Sequence, residues 1–419
     1  MTNGMWVYRI GESVESRVEA WGCMVCRGVA RFCKLNTCPY YRYLLEDAGF
    51  RRISGSGVVA GPTPPTILVG ERGYPRVLVG PAVGVAESLD VGLLEKPSSW
   101  LDLTLERLLA MRLSLLYGRV RRAVGDARKA VKLVEIVQES AASSKPVDVE
   151  MSLSGGLSYR PGFGVRAMPY GPSAKIGDVK LVGDVKVPKK VESLIGDMDL
   201  RAGESLAILH RSGLDEYYLA RVFSAGLLGR RWERRLVPTE WSITAVDDIL
   251  SRKLYEGVRE MGLISDFRVH SFQALENAAH IILTPTPWMY ELLEGWLKHP
   301  AKAPYSDYEF LRPRRTYADN TGGAYYAVRL SLLRYLYSRG EQAGAIVFFE
   351  VLPGWIPLGV WRFREICRKA LERPGARFQT LKEALENIAP RLRIPIERYL
   401  ETSRLISFLR GQPKLTDIV

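Results

Sequence analysis

Four of the five cysteines stand close together, at Cys23, Cys26, Cys33 and Cys38, in the stretch "CMVCRGVARFCKLNTC". The spacing is C-x2-C-x6-C-x4-C. The first pair forms a tight turn in which two thiolates face one cation, and the second pair closes a tetrahedron over a short loop. Four sulfur ligands with no open position describe a structural Zn2+ site. An iron–sulfur cluster is an alternative, because Pro39 follows the last cysteine as in some ferredoxin runs. Two disulfides are a third. Arg27, Arg31, Lys34 and Arg42 flank the cluster and would offset thiolate charge or touch phosphate. Cys367 sits alone in "FREICRKAL" and reads as a core residue.

The densest chemistry lies in "GLLGRRWERRLVPTEWSITAVDDILSRK". Arg230, Arg231, Arg234 and Arg235 surround Trp232, and Trp241 follows Pro238. Guanidinium groups for a phosphate backbone and indoles for stacking make a nucleic-acid surface. The plainer alternative is a solvated basic helix end. Ser242 or Thr244 would cap a helix carrying Asp247 and Asp248, a carboxylate pair of the kind a metal-dependent nuclease uses. Acids favoured by the helix dipole in its first turns are the alternative there. In "RPRRTYADNTGGAYYAVRL", Arg312, Arg314 and Arg315 precede Gly322 and Gly323 at a helix start that could bind an anion; an N-cap at Asn320 or Thr321 explains the same residues. Glu350 is the lone charge in "AIVFFEV", and an acid in an apolar strand is costly unless paired. Arg329, Arg362 and Arg364 are its candidate partners; a structural ion pair is the first expectation and an acid–base role the second. The four histidines, His210, His270, His280 and His299, have no metal-ligand spacing, and Ser-His-Asp or Cys-His catalysis has little support.

These residues need elements to hold them. Thr66–Gly70 and Arg76–Gly80 read as short strands joined by the turn "ERGYP". Ser98 or Ser99 would cap a helix through "WLDLTLERLLAMRLSLLYG" that ends at Gly118, and Asp126 would cap the next, "ARKAVKLVEIVQES". The Ser/Gly/Pro-rich run "AASSKPVDVEMSLSGGLSYRPGFG" reads as a long loop despite a weak strand signal at Val147–Met151. Beyond about residue 201 the pattern shifts to longer helices and one buried strand, "AGAIVFFEV". Two helices broken at Pro395 complete the ordered part. The expected fold is mixed α/β or α+β, a two-part globular core with an N-terminal four-cysteine zinc module and a helical C-terminal region. Its units are residues 1–50 (the cysteine module), 51–200 (an N-terminal α/β part), 201–370 (a C-terminal α/β core), 371–410 (helices) and 411–419 (a flexible tail).

That tail reads "GQPKLTDIV". Gln412, Leu415 and Ile418 recur every third residue, so a 3₁₀ turn would stack them on one face with Val419 beside them. The layout is that of a peptide held by a sliding clamp, with Ile-Val replacing the usual aromatic pair. A frayed end with accidental spacing is the alternative.

Composition narrows the classes. The 419 residues are 47% hydrophobic and 25% charged, ordinary for a soluble protein of two or three domains. Lys+Arg number 59 against 46 Asp+Glu, a net charge of +13, which favours polyanionic partners, nucleic acid first. No apolar run approaches the roughly 20 residues of a membrane span, and the first residues lack a signal-peptide block. The expected location is cytoplasmic, with no membrane partner. Asn and Gln together number ten, a depletion that fits a hyperthermophile.

The cysteine module, "GPTPPTILVGERGYPRVLVGP", "KPVDVE", "LVPTEWSITAVDD", "GGAYYAVRL" and "PLGVWRFREICRKAL" together resemble the archaeal Nre DNA-repair family across nearly all of residues 20 to 375. The resemblance implies a two-part, nucleoid-associated protein with a zinc-finger-like module and a role in DNA-damage tolerance or repair. It also implies the sliding clamp PCNA as a partner, since some members end in a PCNA-interacting motif. The family pattern carries arginine where Glu240 stands, so position 240 itself is not assigned a phosphate contact. Two other function classes remain: a metal-dependent DNA-processing enzyme using Asp247, Asp248 or Glu350, and an enzyme acting on small nucleotides.

Overall fold

The computed structural model describes residues 57–64, 67–85, 90–155, 171–297, 304–354 and 358–411. The Cys23, Cys26, Cys33 and Cys38 cluster and the Gln412, Leu415, Ile418 and Val419 set lie outside the described residues.

The first half contains β1 (Val58–Thr63), β2 (Ile67–Val69), β3 (Arg76–Gly84), α1 (Leu105–Leu113), β4 (Leu115–Ala123), α2 (Lys132–Ala142), β5 (Val147–Leu153) and β6 (Ser173–Val182). Its six strands form one sheet in the order β1-β5-β6-β4-β3-β2. The β6–β4 pair is parallel and the rest are antiparallel. The sheet curls so that β1 returns against β3, and a Cβ at Gly61 would lie 2.6 Å from the Gly84 carbonyl oxygen. Trp100, Leu108, Leu115, Tyr117, Val149 and Ile176 share the core on one side of it.

Three expectations fail here. The Leu-rich run expected to be one helix is a helix and then a strand. Thr104 caps α1 by accepting from the Arg107 amide at 3.2 Å, and the chain turns at Ser114 into β4. Gly118 does not end a helix; a Cβ there would meet Met151 Sδ at 2.5 Å and Ile176 Cγ2 at 2.9 Å, so it allows two strands to pass closely. The Ser/Gly/Pro-rich run contains β5, whose Val147, Val149 and Met151 alternate into the core. Asp126 sits in a 3₁₀ turn, accepting from the Ala123 amide at 3.2 Å, and α2 starts only at Lys132.

A helical layer follows: α3 (Lys189–Gly196), α4 (Ala202–Arg211), α5 (Glu216–Ser224) and α6 (Thr239–Val258). It packs with α2 on the outer side of the first sheet, joining Val77, Val79, Val134, Leu206, Leu219 and Val246. The second half holds β7 (Gly262–Leu263), β8 (Phe267–Ala274), β9 (Asn277–Thr284), β10 (Met289–Trp296), β11 (Tyr305–Phe310), α7 (Gly323–Arg339), β12 (Glu341–Gln342), β13 (Gly344–Val351), α8 (Trp361–Glu372), β14 (Ala376–Phe378), α9 (Leu381–Ile388), α10 (Ile396–Thr402) and α11 (Arg404–Gly411). Its sheet runs β11-β10-β13-β9-β8-β14, with β10 and β13 parallel; β7 and β12 pair separately. The sheet is covered on both faces, by α7 and α8 on one and by α9, α10 and α11 on the other. That double cover explains why β9 and β13 are buried along their whole length. Three helices, rather than the two expected, complete this layer.

α6 links the halves. Val246 and Leu250 belong to the first helical core, whereas Tyr255 and Val258 belong to the second. Trp361 at the start of α8 does the same, meeting Trp100 edge-on at 4.9 Å between centroids. No helix among the described residues is long and apolar enough to cross a membrane.

Candidate nucleic-acid interface

The start of α6 and the β2–β3 hairpin build one surface. Pro238 sets the entry to α6, which begins at Thr239 rather than at Ser242 or Thr244. Thr239 Oγ1 accepts from the Val69 amide at 3.0 Å and ties the helix to β2. Two residues on, the Trp241 indole N–H donates to Glu71 at 3.3 Å. Its ring lies 5.1 Å from that of Tyr74, inclined by 43°. Both rings are 44% exposed. Beside them is a cavity of about 150 Å³ lined by Phe223, Leu228, Leu236, Val237 and Pro238, with Glu233 and Arg235 also on its wall.

The arginine turn borders this cavity. Gly226, at φ +72°, lets the chain double back; a Cβ there would lie 2.6 Å from the Arg235 carbonyl. Arg231, Arg235 and Trp232 point outward, and Trp232 is 59% exposed. Arg230 lies 5.8 Å from the Trp232 ring and 3.8 Å from Glu233. Arg234 corrects the sequence reading. It is 7% exposed, and its guanidinium donates to the carbonyls of Gly229 at 2.8 Å, Ile195 at 2.9 Å and Asp197 at 2.8 Å. Burial lowers its pKa, and its donors hold the turn together instead of facing solvent. Two cations absent from the sequence reading join the surface: Arg128 donates to the Trp232 carbonyl at 2.5 Å, and Arg121 to the Arg76 carbonyl at 3.1 Å. Tyr74, too, was hidden in a segment legible only as a turn.

The second basic cluster divides likewise. Arg312 and Arg315 are exposed. Arg314 is tied to Asp307 at 2.7 Å and to the carbonyls of Thr316 and Tyr317. The helix start behind it already holds an internal anion. Asp307 accepts from the Asn320 amide at 3.0 Å, and from the Thr321 amide and hydroxyl at 2.8 and 2.9 Å.

The three acids do not share a cleft. Asp247 and Asp248 lie in the middle of α6, beyond the reach of the dipole at its first turn. Asp247 is fully buried and accepts from Arg364 Nη2 at 2.6 and 2.5 Å. Burial pushes its carboxyl up to about 6 against the pull of Arg364. Burial also acts to raise the neighbouring Glu216, yet Arg368 and Arg364 bring it down to about 2. Asp248 bridges Arg252 and Arg329, each at 2.8 Å. Glu350 meets none of the three arginines expected for it. It accepts from the Arg393 and Ile394 amides at 2.8 to 3.0 Å and from the Tyr399 hydroxyl at 3.1 Å, because it caps the turn entering α10. Burial raises its carboxyl. Among the described residues no group of three or more His, Cys, Asp or Glu could hold a metal ion.

His270 and His280 are buried and bonded to the Arg373 carbonyl and the Ser271 hydroxyl, and burial pushes His280 down to about 4. Cys367 is buried in the second core, which raises its thiol.

The chain is similar to known proteins along nearly its whole length. Residues 32–301 match the family model described as "Archaeal Nre, N-terminal", and residues 309–418 match "Archaeal Nre, C-terminal". The chain is 35% identical to the DNA repair protein NreB of Archaeoglobus fulgidus, covering 94% of this chain and 98% of that one. It is 35% identical to NreA of the same organism over 87% of this chain and 92% of the relative. With the DNA repair protein NreA of Haloferax volcanii the identity is 33%, over 84% and 87%. No solved structure matches the chain.

Proposed function

Because the chain belongs to the archaeal Nre family, we propose that it is a DNA-binding repair factor whose DNA face is the surface around the start of α6. One observation carries this reading. Exposed Arg235, Trp241 and Tyr74, from distant parts of the chain, line one cavity, and exposed Arg231 and Trp232 stand in the same turn as Arg235. Cations there neutralise phosphates, and rings offer stacking surfaces. Arg230 contributes beside Trp232, while Arg312 and Arg315 extend the basic character on the loop before α7. The charge-reversal pair Arg231→Glu with Arg235→Glu should weaken DNA binding at low salt about tenfold or more. Undiminished binding by that folded variant would place the DNA surface elsewhere.

Recruitment to DNA is proposed to run through Gln412, Leu415, Ile418 and Val419, whose spacing suits a sliding clamp of the PCNA type. Truncation after Arg410 should remove clamp binding in calorimetry and leave DNA affinity intact; equal clamp affinities would refute the tail. The four cysteines are proposed to bind one structural Zn2+, because four thiolates in this spacing suit that ion. Elemental analysis should find one zinc per chain, and iron without zinc would favour the cluster instead. For Asp247, Asp248 and Glu350 the separate partner sets support structural roles rather than shared catalysis.

A further inference from the structure

We propose that the Tyr74–Trp241 pair and the cavity beside it receive an unpaired base of single-stranded DNA. The proposal rests on the DNA-binding reading above and names the kind of DNA that the face selects.

Aromatic side chains offer a nucleobase a stacking surface only where their faces stay open to solvent. Here they touch at 5.1 Å and both remain 44% exposed. Neither is loose. Trp241 stands on α6 with its indole bonded to Glu71, and Tyr74 projects from the hairpin whose β2 strand is tied to Thr239. The 43° inclination leaves a splayed pair beside a mainly apolar cavity. At about 150 Å³ that cavity is of the size that admits a benzene-sized flat ring, and it is too small for a helix.

Charge chooses among flat or apolar ligands. Arg72 is exposed on the hairpin, exposed Arg121 reaches the Arg76 carbonyl at its base, exposed Arg235 lines the cavity, and exposed Arg231 and Arg128 stand in and against the arginine turn. The acids nearby are outnumbered by arginines: Glu71 accepts from the neutral indole and keeps its charge, and Glu233 lies 3.8 Å from Arg230. Glu240, in the first turn of α6, has an interaction of its own. An apolar peptide side chain gains nothing from such a cationic rim, whereas a nucleotide has both a ring and a phosphate. In a duplex the π-faces are consumed by stacking with their neighbours. An unpaired base presents one to the protein.

The test uses the full chain with a labelled oligothymidine and a blunt duplex of equal length. Wild type should prefer the single strand. Trp241→Ala and Tyr74→Ala should each lower single-strand affinity about tenfold and erase the preference, while Trp241→Phe keeps most of it. As a readout independent of variant folding, an oligonucleotide carrying 5-iododeoxyuridine should photocrosslink wild type at Tyr74 or Trp241. Equal losses on both DNAs, unchanged affinities, or crosslinks confined to other residues would overturn this proposal alone. A wild-type chain that binds neither DNA would overturn the DNA-binding reading as well.

Discussion

At the residue scale, the same side-chain types carry two different jobs. Arg231 and Arg235 face solvent, whereas Arg234 spends its donors on three backbone carbonyls. The sequence pattern showed a basic aromatic turn but not which cation turns inward, because that depends on carbonyls of residues 195 and 197, contributed by the end of α3. The paired acids were legible as a motif, and their partners were not. Asp247 neutralises Arg364, whose side chain is 1% exposed. Removing the Asp247 charge leaves buried Arg364 with only the more distant Glu216, at 3.8 Å, to offset it. Asp247→Asn should therefore destabilise the protein by about 3–5 kcal/mol, read as a lower denaturation midpoint at unchanged m-value. An Asn variant of native stability that had lost a metal-dependent activity would instead revive the enzyme reading.

At the element scale, legibility followed how local the deciding forces are. The β2–β3 hairpin, α6, α7 and β13 were readable because turn chemistry and long hydrophobic runs act within the segment. β4 and β5 were not. The apolar run around Leu115 suits helix or strand equally, and the close approach of Gly118 to Met151 and Ile176 decides it from outside. The C-terminal helices show a second nonlocal device. Glu291 in β10 is fully buried, accepting from the Ser306 and Ser403 hydroxyls at 2.6 and 2.5 Å and from the Arg404 and Leu405 amides at 3.0 Å. It caps α11 from the sheet, as Glu350 caps the turn into α10. Close approach reinforces the docking, since a Cβ at Gly295 would lie 2.4 Å from the Tyr399 hydroxyl. Glu291→Gln should cost about 1.5–3 kcal/mol locally. Amide exchange should quicken over residues 404–411 and stay slow over β13. Unaltered exchange in α11 would show that packing alone holds it.

At the scale of the whole molecule, α6 connects the structural cores to the exposed face. Its buried middle joins the two halves through Val246, Asp247 and Tyr255, and its first turn presents Trp241 beside the hairpin. The surplus of 13 positive charges supplies a long-range pull on a polyanion, and the arginine turn gives that pull a location. The most direct measurement is the affinity of the full chain for DNA as a function of salt concentration. Binding through several phosphates predicts a linear fall of log K with log salt, with a slope of about −0.9 for each phosphate neutralised, and a slope shallower by about two in the Arg231→Glu, Arg235→Glu variant. A flat salt response in the wild-type chain, or an identical slope in the two proteins, would contradict a DNA face at the start of α6.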